Sequence, residues 1–257
     1  MSLTAAACAV LRAAAPAEKC ALAAALAKDW AHGDIAEIGG AQPPDKPARP
    51  ARPQLVAPRQ VKKRRRHGRG RFVLLHAIAH IELNAIDLAA DMLARFAPRG
   101  PPAFCDDWVR VAAEEAKHFG LLSERLLALG GTYGDLPAHD GLWQAARATA
   151  DDVLARLAIV PMVLEARGLD VTPGMIDDLN HGGDGESAAV LRLIYEEEVG
   201  HVAAGNRWFR HFCAARGLDA ESHWRTLVAE RFMGEVKPPF NTEARARAGM
   251  RPDFYTL

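Results

Sequence analysis

The sequence predicts an all-α protein, and three observations carry the prediction. The chain is rich in Ala, Leu, Glu and Arg, with only 7% aromatic residues, a composition that favours helix. From Phe72 onward apolar residues recur at three- and four-residue steps, with no strand-like alternation. Proline and glycine gather in a few short stretches that separate long periodic segments. With 257 residues, 49% of them hydrophobic, the chain can build one large domain or a core domain with extensions. The expected organisation is an N-terminal helical region over 1–38 and a Pro-rich, basic linker over 39–70. A four-helix bundle with a long crossover follows over 71–216, and then a C-terminal helix and tail over 217–257 that pack on the bundle.

The elements follow in order. An Ala/Leu-periodic region from about Leu3 to Ile38, interrupted at Pro16, reads as one or two helices. It lacks a basic leading region and carries Glu18, Lys19, Lys28 and Asp29, so it is expected to be helix and not a signal peptide. Pro43, Pro44, Pro47, Pro50, Pro53 and Pro58 then impose an extended segment, draped over the surface or mobile. The first bundle helix carries Leu75, Ile78, Ala79, Glu82, Ile86, Ala89 and Leu93 on one face. The second starts near Phe104 and carries Trp108, Val111, Glu115, His118, Phe119, Leu122 and Leu126. GGTYGDLPAHDG (Gly130 to Gly141) begins the crossover. The third helix runs to about Gly168, with Leu154, Leu157, Ala158, Met162 and Glu165 inward. Pro161 within it predicts a kink or a locally opened turn. A short helix is expected after Pro173. The fourth bundle helix carries Leu191, Ile194, Tyr195, Glu198, His201, Val202, Trp208 and Phe212. One further amphipathic helix, about Ala220 to Phe232, precedes an irregular tail.

Chemistry enters through an interval. Glu82 is followed by Glu115 and His118, and Glu165 by Glu198 and His201. The steps are 115 − 82 = 33 and 198 − 165 = 33, so a lone Glu precedes a Glu-x-x-His twice. Glu at i and His at i+3 share a helix face and offer an oxygen and a nitrogen from one turn. Desolvating ionised carboxylates costs several kcal/mol each, roughly, and four on inward stripes would repel one another. Two divalent or trivalent cations remove that conflict, and two Glu with two Glu-x-x-His are the ligand set of a dinuclear centre in a four-helix bundle. Oxygen-rich donors with a few imidazoles suit Fe, or Mn, better than Zn.

Neighbouring residues read differently. Glu114 and Glu197 lie about 100° around the helix from the proposed ligands and are expected to be solvated or to stand behind the ligands without touching the metals. Glu196 also lies outside the ligand set. His76 and His80 form an i, i+4 pair, with His80 pointing away from Glu82, for which helix-surface or interface hydrogen bonding is favoured over a separate metal site. Tyr195, one turn before Glu198, is either packing or a redox or hydrogen-bonding partner of the metals. Asp151, Asp152, Arg156 and Arg167 are candidates to orient ligands. Between Arg59 and Arg71 lie Arg59, Lys62, Lys63, Arg64, Arg65, Arg66, Arg69 and Arg71, with no acid among them. This run could contact RNA phosphates or acidic lipids, but it lacks interleaved aromatics, and a solvated linker, or an arm pairing with the acidic remainder, is favoured. Cys8, Cys20, Cys105 and Cys213 form no C-x-x-C, which suits a cytoplasmic location. No run of about 18 apolar residues suggests a membrane span.

The chain resembles the ferritin-like superfamily of di-iron carboxylate proteins. The strings HAIAHIELNAIDLAADMLARF, LPAHDGLWQAA, LEARGLDVTPGM, HVAAGNRWF and KPPFNTEARARAG look like one bacterial branch of it, over roughly residues 55–250. The resemblance implies a ferritin-like bundle with Glu82, Glu115, His118, Glu165, Glu198 and His201 as metal ligands. It implies no settled substrate. The expected function is a dinuclear Fe or Mn/Fe oxidoreductase acting with dioxygen, an external electron donor and a small-molecule substrate, with a homodimer compatible. Ferroxidase or iron handling, and tRNA-modifying hydroxylation, are the alternatives.

Overall fold

In the computed structural model, residues 1–61 and 70–256 are described, and the fold is all-α. The described residues contain no strand, only an isolated parallel bridge between Leu55 and Ala138. Lys62 to Arg69, most of the basic run, lie outside the described residues. The chain divides into two units, Met1–Trp143 and Gln144–Leu257.

The first unit is built on an αα-hairpin. Helix α1 spans Leu3–Arg12 and α2 Pro16–His32, separated where Pro16 starts the second helix. Helices α3 (Gly70–Phe96) and α4 (Pro102–Ala128) form the hairpin, joined by a 3-10 turn at Ala97–Arg99 and restarted by Pro102. Gly70–Arg99 is long and apolar enough to cross a membrane by length and composition, but 72% of its most apolar window is buried inside the fold. The interior of α3 also holds charge. Lys19 Nζ, fully buried, pairs with Asp87 and donates to the Val10 carbonyl at 2.9 Å. Arg49 from the Pro-rich segment reaches Asp87 Oδ2 at 2.8 Å and Asn84 Oδ1 at 2.5 Å. Burial pushes the Asp87 carboxyl up to about 6, against the pull of Lys19 and Arg49. The Pro-rich segment is therefore draped and pinned, also by Val56 N–H to the Ala138 carbonyl and Ala138 N–H to the Gln54 carbonyl.

The second unit repeats the theme with an interrupted helix. Helix α5 (Gly141–Ala148) carries the unit boundary. Helix α6 (Val153–Ile159), capped by Asp152, opens into a π-helical turn at Val160–Glu165 and continues as α7 (Ala166–His181). The opened turn expected at Pro161 is thus present. The break expected near Gly168 is not: Pro173 sits inside α7. Its missing N–H would orphan the Leu169 carbonyl, but the Asn241 side chain donates there at 3.2 Å, so the helix continues through the proline. Helix α8 (Gly185–Ala215) packs on α7, followed by α9 (Ala220–Arg231). The tail expected to be irregular holds two short helices, α10 (Thr242–Arg247) and α11 (Pro252–Tyr255). Arg245, 3% exposed, pins the tail to the fully buried Asp170 at 2.7 Å and lies over the rings of Tyr255 and Phe240.

Candidate metal centre

Each unit gathers one of the two predicted triads. In the first, α3 supplies Glu82 and α4 supplies Glu115 and His118; all three are buried, with Glu115 and His118 at zero exposure. Nδ1 of His118 lies 3.2 Å from Glu82 Oε2 and 3.5 Å from Glu115 Oε2. In the second, Glu165 closes the π-helical turn, and α8 supplies Glu198 and His201. Nδ1 of His201, also fully buried, lies 3.6 Å from Glu198 Oε2. In both triads the i, i+3 pair faces the same nitrogen to the same carboxylate, as the shared spacing requires. Within each triad one donor atom per residue lies within 4.8 Å of the others, a span that a metal ion can bridge.

The electrostatics favour a cation. Burial resists charging the His118 ring, yet hydrogen bonds and attraction from Glu115 and Glu82 outweigh it and push the imidazole up to about 11. The positive charge demanded there can come from a proton or from a metal. Two carboxylates with one imidazole are an oxygen-rich donor set that fits a first-row transition ion. These carboxylate and histidine clusters, the first buried and the second half-buried around a buried His201, could bind a metal.

The second triad depends on how its helix is opened. Pro161 has no N–H and disrupts the α ladder, and a π turn absorbs the extra residue. Gly205, one turn beyond His201, is where α8 receives that turn. A Cβ on Gly205 would stand 2.4 Å from Pro161 Cβ. Pro161 lies four residues before Glu165, so this close approach sets the spacing of the backbones that carry Glu165 and His201.

The remaining predicted residues have other partners. The Tyr195 hydroxyl accepts from Asn241 Nδ2 at 3.0 Å. Asp152 caps α6 and pairs with Arg216, and Asp151 pairs with Arg231. Arg156, fully buried, donates to Thr149 Oγ1 and the Ala146 carbonyl. Arg167 donates to the carbonyls of Lys237 and Pro239. Glu114 pairs with Arg110, and Glu196 with Arg247. His76 and His80 bind the 131–140 connection through Gly134, Tyr133 and His139, the hydrogen-bonding role expected of them. Sequence reasoning missed Asn241, whose side chain serves Leu169, Tyr195 and the Ala244 N–H together. Its only local signal was its place as the N-cap of α10.

The sequence matches the family described as Protein of unknown function (DUF455) over residues 12–256, which includes all six triad residues. An uncharacterized protein of Haemophilus influenzae is 44% identical over 207 residues, 78% of this chain and 72% of that relative. No solved structure matches the chain. The chain belongs to the DUF455 family.

Proposed function

We propose that the two triads supply the six ligands for two metal ions, the set used by ferritin-like dinuclear carboxylate proteins, and that the protein is an oxidoreductase acting on an organic substrate with dioxygen. The observation that supports this most is the repetition: two Glu plus Glu-x-x-His sets, the first buried and the second with His201 buried, each with its donors within 4.8 Å. Glu82, Glu115 and His118 would hold one ion, and Glu165, Glu198 and His201 the other. Fe, or an Fe/Mn pair, supplies electrons to dioxygen when bound.

The chain's own residues supply the rest. Burial of Glu82, Glu115, His118 and His201 excludes bulk water and strengthens each charge–charge interaction. The helix faces fix the imidazole Nδ1 atoms toward the carboxylates. Tyr195 stands one turn from Glu198, within the part of α8 that the tail covers through Asn241. Elemental analysis of purified protein tests the reading, with Fe or Mn expected at about two per chain. Zinc alone, or no retained metal after reconstitution with Fe(II) and Mn(II), would reject it.

A further inference from the structure

Helix α3 carries a second constellation, on a face distinct from that of Glu82. His76 is 2% exposed, and its Nε2 accepts the Gly134 N–H at 2.9 Å and the Leu136 N–H at 3.4 Å. A ring nitrogen that accepts cannot carry the proton, so His76 is protonated at Nδ1. Among the described residues nothing accepts from that Nδ1–H, and the ring lines a cavity. His139 repeats the logic: its Nδ1 accepts the Gly141 N–H at 3.1 Å, which leaves Nε2–H as its donor. His80 between them is fully engaged, with Tyr133 at one nitrogen and the His139 carbonyl at the other.

These rings line a half-enclosed cavity of about 320 Å³ within the first unit. Its other walls include Val73, Ala77, Ile81, Leu136 and Leu142. No Asp, Glu, Lys or Arg lines it among the described residues. The described lining thus offers apolar walls and two N–H donors, one from buried His76 and one from exposed His139, and no charged side chain. That lining gives an ion no compensation for lost hydration, whereas an apolar body ending in an acceptor oxygen would satisfy both donors.

We propose that this cavity binds a small, uncharged carbonyl compound with an apolar body, its oxygen accepting from His76 Nδ1–H and His139 Nε2–H. The site stands on its own geometry, independently of the metal reading.

Benzophenone is a suitable probe, because it is neutral and apolar, has one carbonyl, and labels nearby C–H bonds on irradiation. With the full-length protein, saturable labelling is expected on peptides covering 73–81 or 136–142. Ala77→Trp and Ile81→Trp fill the cavity from half-exposed and exposed positions that the fold tolerates, as circular dichroism should confirm. Each is expected to weaken saturable labelling about tenfold or more. Diphenylmethane, which lacks the oxygen, should compete about tenfold less well, the equivalent of two modest hydrogen bonds. The anionic 4-benzoylbenzoate should likewise compete poorly. Absence of saturable labelling, labelling confined to other peptides, or labelling unchanged in both variants would overturn the site. Equal competition by diphenylmethane or 4-benzoylbenzoate would overturn the assigned ligand chemistry.

Discussion

Asp170 and Arg245 are a fully buried carboxylate and its nearly buried guanidinium, and their pairing is what holds the C-terminal tail against α7. Asp170 also faces Arg167 Nη1 at 3.5 Å and accepts the Asn241 N–H at 2.9 Å, so Arg245→Met removes only its nearest cation and is expected to destabilise the protein by about 1.5–3 kcal/mol, read as a lowered urea midpoint. Tyr195→Phe removes only the bond from Asn241 and should cost about 1 kcal/mol with metal content unchanged. His76 sets a pH dependence. Burial lowers its pKa below the ordinary 6.5, so the folded chain binds fewer protons there than the unfolded chain. Its contribution to stability is therefore present above about pH 6.5 and drains away as the pH falls below that value. Urea titrations at pH 7 and pH 5 should show the loss, and His76→Gln should reduce the difference between them. At this scale the two Glu/His clusters were legible, because a Glu and a His that share one helix turn must stand at i, i+3. The partners of Tyr195, Asp170 and Pro173 were not, since each bond spans about 45–75 residues and leaves no periodic trace.

Among the elements, the helix pairs were readable from apolar stripes, and Pro161 announced its opened turn. Pro173 misled, because a proline's cost depends on what else can serve the orphaned carbonyl, and Asn241 lies 72 residues away. The π turn gives the second triad a dependence that the first lacks. Gly205→Ala would drive a methyl group into Pro161 and force α8 and the π turn apart. Overpacking of this kind is expected to cost about 1–3 kcal/mol. It should also lower metal content toward one ion per chain, with the first triad still loaded. A Gly205→Ala protein retaining its full metal complement would show that the contact does not position Glu165.

For the molecule as a whole, zero formal net charge hides the basic run of 59–71, whose central residues lie outside the described part. The chain is expected to form a monomer or a dimer in light scattering; a closed cage of many copies would favour iron storage over oxidation. The all-α class was legible from composition and period together. The units were not, because their boundary falls within α5 and the sequence marks no break there. The central claim is that two repeated triads hold two redox-active ions. Elemental analysis of aerobically purified protein, with its optical and EPR spectra, tests it most directly. About two Fe or Mn per chain are expected, falling sharply in Glu115→Ala and in Glu198→Ala while helicity is kept. Stoichiometric metal retained in both variants would contradict the account.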